Sequence, residues 1–199
     1  MLKLDTLCLG SYQTNCYIVR EAASRTCVVI DPGYTPQTVL AHLEKEELTL
    51  EAILLTHGHF DHVGGVRTLA AETDCAVYLC EQELSLPAMM TDGPLYYTHP
   101  YAEGDTLHLA GLTFLVLETP GHTPGSVCLI AEDAMFSGDT LFAGSCGRVD
   151  FPGSSPVSMR TSLARLGAMQ ENYRIYPGHA EPSTLTQEKR YNPYLKGLL

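Results

Sequence analysis

The chain has 199 residues, 45% hydrophobic and 18% charged, a balance that fits one compact domain with its own core and excludes a disordered or low-complexity chain. A formal charge of −11, with no lysine or arginine run, argues against nucleic acid or an anionic membrane as a partner. There is no apolar run of about 18 residues to cross a membrane, and the opening MLKLDTLCLG, interrupted by Lys3 and Asp5, does not read as a signal peptide.

The first third reads as strands: KLDTLCLG, NCYIVRE and RTCVVIDPG are apolar or β-branched stretches separated by polar turns, and Asp31-Pro32-Gly33 is a strong breaker. Residues 36–47 read as a helix, opened by Pro36 and carrying the stripe Val39, Leu40, Leu43. The buried run Ala52–Leu55 stops at Thr56, and helical spacing resumes over 62–72. Residues 75–80 are expected as a strand, 81–90 as a short helix and 91–104 as a loop. Four strands follow in DTLHLAG, LTFLVLETP, SVCLIAE and AMFSGD. An irregular loop over 144–156, a helix over 157–171, a short strand in RIYPGH and a helical tail from Thr184 to Asn192-Pro193 complete the chain. This order points to two sheets covered outside by helices. Seven cysteines, an odd number with no CxxC pair, lie mostly in strand-like runs and fit a reduced, cytoplasmic protein.

The chemistry concentrates where strands end. His57-Gly58-His59-Phe60-Asp61-His62 offers four metal-ligand side chains within six residues, directly after a buried strand. Three more candidates repeat the pattern: His122 in TPGHTPGS, Asp139 in FSGDTLF and His179 in YPGHA each follow a strand and sit beside glycine. Singly, His122 or His179 could be a hydrogen-bonded loop histidine and Asp139 a turn former; recurrence beside the first cluster favours a shared site. His42 and His108 read as solvated, and His99 sits in a Tyr- and Pro-rich loop. Tyr96, Tyr97 and Tyr101 of the 91–104 loop are candidates to line a substrate pocket.

Together IDPG (30–33), THGHFDHVGG (56–65), TPGHTPGS (119–126), FSGDTLFAGSCGR (136–148) and YPGH (176–179) resemble the metallo-β-lactamase superfamily, and within it the glyoxalase II-like (hydroxyacylglutathione hydrolase-like) proteins. The resemblance implies an α/β fold, the αββα sandwich of two mixed sheets covered by helices. It implies that His57, His59 and His122 bind one divalent metal, that Asp61, His62 and His179 bind a second, and that Asp139 bridges both. Zinc is the first expectation; iron or manganese are possible. Asp31 resembles an acid that orients a ligand histidine; a turn aspartate before Pro32 is its other reading. Arg148 matches a basic position that contacts substrate, or else it holds its own loop. Only residues 180–199 follow the last ligand, too few for the helical domain that grips glutathione in two-domain glyoxalase II. Asp150 stands where those enzymes carry a tyrosine. The short members, with a single domain over 1–199, resemble this chain better.

Two metals about 3.5–4 Å apart can share a water and lower its pKa toward 7, giving a hydroxide that attacks a carbonyl, with Asp61 orienting it. Zinc also accepts a thiolate leaving group, so the expected reaction is hydrolysis of a small acyl thioester such as S-lactoylglutathione. A persulfide dioxygenase with one iron is the competing reading, suggested by Cys146-Gly147-Arg148, Asp150 and Phe151. A metal-binding module without catalysis is a third. The sequence leaves the oligomeric state open.

Overall fold

A computed structural model describes residues 1–197; the last two residues of the expected 1–199 domain lie outside the described residues. Strands β1 (Leu2–Leu9), β2 (Thr14–Glu21), β3 (Thr26–Ile30), β4 (Thr49–Leu54), β5 (Ala76–Leu79) and β6 (His99–Pro100) form one sheet in that order. Its first three strands are antiparallel, and β3 through β6 run parallel. The second sheet contains β7 (Thr106–Leu109), β8 (Leu112–Glu118), β9 (Val127–Ala131), β10 (Ala134–Gly138), β13 (Arg174–Pro177) and β14 (Ser183–Thr184), in the order β14-β13-β10-β9-β8-β7. Only β10 and β13 pair in parallel there. Between β10 and β13 in the chain lies a small hairpin, β11 (Leu141–Phe142) with β12 (Ser145–Cys146).

Alternation along the strands builds three apolar layers. Val28 and Ile30 of β3, Ala52 and Leu54 of β4, and Val127, Leu129 and Phe136 from the second sheet fill the space between the sheets. Their neighbours Cys27, Val29 and Ile53 face the other way, against Val39 and Leu43 of α1 (Pro36–Lys45) and Val66 and Leu69 of α3 (Val66–Thr73). On the far side, Cys128, Ile130, Met135 and Ile175 pack against Met159, Leu163 and Leu166 of α5 (Pro156–Ala168) and Leu185 of α6 (Leu185–Tyr191). This is the expected αββα sandwich.

The elements differ from the sequence reading in several places, β12 within the expected 144–156 loop among them. The expected helix over 62–72 is two pieces, α2 (Phe60–Val63) and α3, broken at Gly64-Gly65. The break brings the chain against the Pro32–Tyr34 turn: Gly65 donates its N–H to the Pro32 carbonyl at 2.8 Å, and a Cβ there would meet the Gly33 and Pro32 oxygens at 2.7 and 2.8 Å. The expected 81–90 helix is a 3-10 turn at Glu81–Ser85 and a single helical turn, α4 (Ala88–Thr91), because Pro87 cannot continue the first. Part of the 91–104 loop joins the first sheet as β6. All seven cysteines are free thiols, and among the described residues no helix is long and apolar enough to cross a membrane.

Candidate metal centre

Every candidate ligand emerges at one edge of the sandwich. Asp31 follows β3, Thr56 and His57 follow β4, His122 lies beyond β8, Asp139 follows β10 and His179 follows β13. These strands run in the same direction within their sheets, so their carboxyl ends meet on one side, where the departing chain leaves side chains free to converge. The two sheets are joined at this edge by the Val127 N–H, which donates to the Thr56 carbonyl at 2.9 Å. His59 caps α2, and Asp61 and His62 lie within that helix, turned into the same space.

Close approach needs glycine behind the candidate ligands. A Cβ on Gly178 would collide with the Asp139 carboxylate and the His62 ring. Gly178 also donates its N–H to the Gly138 carbonyl at 2.8 Å, which ties the Asp139 and His179 turns together.

The hydrogen-bond network fixes how the imidazoles are presented. Asp31 accepts from the Thr56 N–H at 2.8 Å, from the Thr56 hydroxyl at 2.6 Å and from His62 Nδ1 at 2.9 Å. Because the Thr56 hydroxyl proton goes to Asp31, His57 Nδ1, 3.1 Å away, must donate to that oxygen. His122 Nδ1 donates to the Arg148 carbonyl at 2.8 Å. His57, His62 and His122 therefore each carry a proton on Nδ1 and turn Nε2 inward. His57 Nε2 is buried with no partner, and so are His59 Nε2 and Asp139 Oδ1. An orphaned buried nitrogen of this kind costs free energy unless something accepts its lone pair.

Three groups of ligand atoms result, one of them Asp31 with His57 and His62, where the carboxylate is taken up by the hydrogen bonds just described. His57, His59 and His122 bring nitrogens within 4.8 Å of one another, and so do the ligand atoms of Asp61, His62 and His179. His59 Nδ1 and His122 Nε2 face each other at 2.9 Å, a distance that demands a proton or a cation between two lone pairs. On the other side, His179 Nε2 lies 3.2 Å from Asp61 Oδ2 and 3.3 Å from His62 Nε2. Asp139 stands between the groups, with Oδ1 3.4 Å from His62 Nε2 and Oδ2 3.4 Å from His122 Nε2. His57, His59, Asp61, His62 and His122 are buried, and His179 is the most open of the set at 28% side-chain exposure.

The electrostatics favour cations. Burial, reinforced by neighbouring imidazoles, holds the pKa of His57 well below the ordinary histidine value and takes that of His59 down to about 4. Burial pulls His62 the same way, but Asp139 and Asp31 outweigh it and lift its pKa to about 9. At His179, too, burial is outweighed, here by the hydrogen bond to Asp61 and the charge of Asp139, and the pKa rises. Asp61 is ionised: burial would raise its pKa, yet the His179 hydrogen bond and His62 hold it far below the carboxylate range. Three carboxylates thus draw positive charge into a site that protons fill when no metal does. Imidazole nitrogens and carboxylate oxygens in this mixture suit divalent transition metals.

A cavity of about 420 Å³ opens over the centre. His59, Asp61, His122, Asp139 and His179 form its floor, and Tyr12, Phe60, Met90, Phe142 and Phe151 its apolar walls, with Ser145, Cys146 and Arg148 beside them. Tyr12 and Phe60 meet edge-on at 5.0 Å. The tyrosines of the 91–104 loop do not line this cavity. Tyr101 is buried between the sheets, Tyr97 donates to Glu81, and Tyr96 lies beneath Arg67. His99 stacks on Tyr78 away from the centre, His108 is exposed, and His42 is half-buried with Nε2 3.4 Å from Asp5.

The profile of the metallo-beta-lactamase superfamily matches residues 9–179. The chain belongs to the metallo-β-lactamase superfamily. Members of this superfamily are mostly metal-dependent hydrolases. The hydroxyacylglutathione hydrolase GloC of Haemophilus influenzae is 31% identical to this superfamily member, over 98% of both chains. Among solved structures, the BLEG-1 B3 metallo-beta-lactamase is 34% identical, with a TM-score of 0.88 over 99% of this chain and 100% of that one. TTHA1623, solved in a di-iron-bound form, is 39% identical, with a TM-score of 0.85 over 96% and 100%.

Sequence reasoning missed several residues that shape the centre. The Thr14 hydroxyl donates to Asp61 Oδ2 at 3.1 Å, and the Asn15 amide holds the turn of His179 through the carbonyls of Pro177 and Ala180 at 3.0 and 2.8 Å. Glu83 is fully buried, and its two oxygens accept the N–H groups of Gly58 at 2.5 Å and Gly125 at 2.6 Å. It clamps the loop of His57 and His59 to the loop of His122. Thr14 and Asn15 open the strand β2 and Glu83 sits in a polar turn, with nothing local to mark any of them as a partner of the centre.

Proposed function

We propose that this chain is a binuclear metal-dependent thioesterase acting on small acyl thioesters, folded as a single domain over 1–199. The observation that carries the reading is the convergence of five imidazoles and two carboxylates into two groups sharing Asp139, with an inward His57 Nε2 that has no partner in the protein. His57, His59 and His122 would hold one cation, Asp61, His62 and His179 the other, and Asp139 both. Zinc suits these donors and a sulfur leaving group; iron and manganese suit the imidazoles and carboxylates as well. When bound, such cations make water nucleophilic at neutral pH and draw charge from the scissile carbonyl.

The protein's own groups do the rest. Asp61, ionised and steadied by Thr14, would accept a hydrogen bond from the attacking water and orient it toward the cavity. Asp31 keeps His62, and through Thr56 also His57, in the tautomer that presents Nε2. The aromatic walls exclude bulk water and seat the acyl portion, and Arg148 contributes to the substrate-facing rim. The hydroxyacylglutathione hydrolase named above supports a thioester as the substrate class.

The test is a panel of acyl thioesters assayed on zinc-loaded and iron-loaded protein, with His57→Ala alongside. Thioester cleavage that His57→Ala abolishes supports the reading. One iron per chain with oxygen uptake and no thioester cleavage would replace it with an oxidative reaction on a persulfide, and equal activity in His57→Ala would remove the site from the chemistry.

A further inference from the structure

Among the residues that line the cavity, Arg148 carries the one guanidinium or ammonium group. It is the natural anchor for a carboxylate on a substrate, since its planar fork matches that group. The fork is already engaged. Arg148 Nε donates to Asp150 Oδ1 at 2.6 Å, and Nη2 donates to Oδ2 at 2.8 Å, a bidentate pair that occupies one whole edge of the guanidinium. Phe151 covers a face, its ring centroid 3.9 Å from the guanidinium carbon. What remains for a ligand is end-on contact with a group whose charge Asp150 has neutralised. The rest of the cavity outside the ligand side chains is aromatic, thioether, thiol or hydroxyl, and the whole chain carries −11.

We propose that Asp150 is a specificity-determining residue: by neutralising Arg148, it makes the cavity favour uncharged thioesters over those with an anionic thiol carrier such as glutathione. This inference rests on reading the cavity as an acyl-thioester site, and it narrows the substrate class for that site to neutral, apolar acyl thiols. The mechanism is competition. A substrate carboxylate must displace Asp150 from the side edge or take the remaining Nη1/Nη2 edge beside the Asp150 charge, and either route loses much of the charge attraction that an unpaired arginine would give.

The experiment measures binding rather than turnover. The zinc-loaded protein and its Asp150→Asn, Arg148→Gln and double variants are titrated by calorimetry with S-hexylglutathione, which is anionic, and with S-hexyl-N-acetylcysteamine, which is neutral. The titrations are repeated on metal-free protein. Wild type should bind the neutral probe at least as tightly as the anionic one. Asp150→Asn should shift the affinity ratio toward S-hexylglutathione by about fivefold, the scale of one exposed ion pair, and the double variant should restore the wild-type ratio. Both side chains are more than half exposed, at 56% and 66%, so the variants should fold and melt as the parent does. Tighter binding of S-hexylglutathione by wild type, lost in Arg148→Gln, would overturn the proposal, and so would an unchanged ratio in Asp150→Asn or a double variant that keeps the shift. A protein that cleaves no thioester yet shows the shift would sink the hydrolase reading and leave Asp150's control of the cavity's charge selectivity standing. Thioester turnover without the shift would do the reverse.

Discussion

Replacing Glu83 tests how far the candidate metal centre depends on a residue outside the seven candidate ligands. Glu83 is fully buried, and each carboxylate oxygen takes one backbone N–H, from Gly58 between His57 and His59, and from Gly125 three residues after His122. Burial raises its pKa, opposed by the Thr123 hydroxyl and by these two N–H groups. Glutamine at this position keeps one acceptor oxygen, but its NH2 then faces the second N–H, donor against donor. Losing one hydrogen bond to a charged acceptor costs about 1.5–3 kcal/mol. At roughly 2–4 °C per kcal/mol for a chain of this size, Glu83→Gln should melt about 3–12 °C lower. Misaligned loops should also weaken zinc binding about 10–100-fold, the scale seen when a partner that orients a metal ligand is removed. Differential scanning calorimetry on metal-free protein and competition with a chromogenic chelator measure the two effects separately. A Glu83→Gln protein with wild-type melting and wild-type zinc affinity would refute the clamp. Lower stability with unchanged affinity would confine Glu83 to the fold.

Asp31→Asn should lower zinc affinity about 10–100-fold, because the amide cannot accept from both the Thr56 hydroxyl and His62 Nδ1 with the same strength; chelator competition reads it, and unchanged affinity would free Asp31 of the orienting role. Burial lifts the Cys146 thiol to a pKa of about 11, so the thiolate, scarce at neutral pH, increases about tenfold per pH unit up to that value; iodoacetamide labelling of this cysteine, followed by peptide mass spectrometry, should rise with that slope between pH 7 and 10, and rapid labelling at pH 7 would contradict it. Phe114→Ala, which empties a fully buried position between the sheets, should cost about 3–5 kcal/mol in chemical denaturation; a loss under 1 kcal/mol would mean the layer repacks there.

The parts of this protein legible from sequence are those with local signatures. Strand ends followed at once by His57, Asp139 or His179 beside glycine stand out because burial, turn and ligand chemistry change within three residues. The two-sheet architecture follows from the order of the elements and from apolar runs long enough to be buried on both faces. Long-range partners have no such trace. Glu83 lies in a polar 3-10 turn that reads as solvated, and only the approach of the His57 and His122 loops buries it. Thr14 and Asn15 serve Asp61 and the His179 turn across more than forty residues of chain, a relation no periodicity encodes. The split between α2 and α3 does have a local sign in the Gly64-Gly65 pair, but Val63, Val66 and Leu69 keep helical spacing across it, and Gly65 leaves the helix to meet Pro32. Tyr96, Tyr97 and Tyr101 carry the composition of a pocket wall, yet the walls are supplied by Tyr12, Phe60, Phe142 and Phe151 from other turns.

The central claim is that the seven side chains hold a pair of cations together, and anomalous diffraction at the zinc edge from zinc-loaded crystals measures this directly. Two peaks are expected, one against His57, His59 and His122, the other against Asp61, His62 and His179, with Asp139 touching both. A single peak, or ions bound elsewhere on the chain while these nitrogens stay bare, would contradict it.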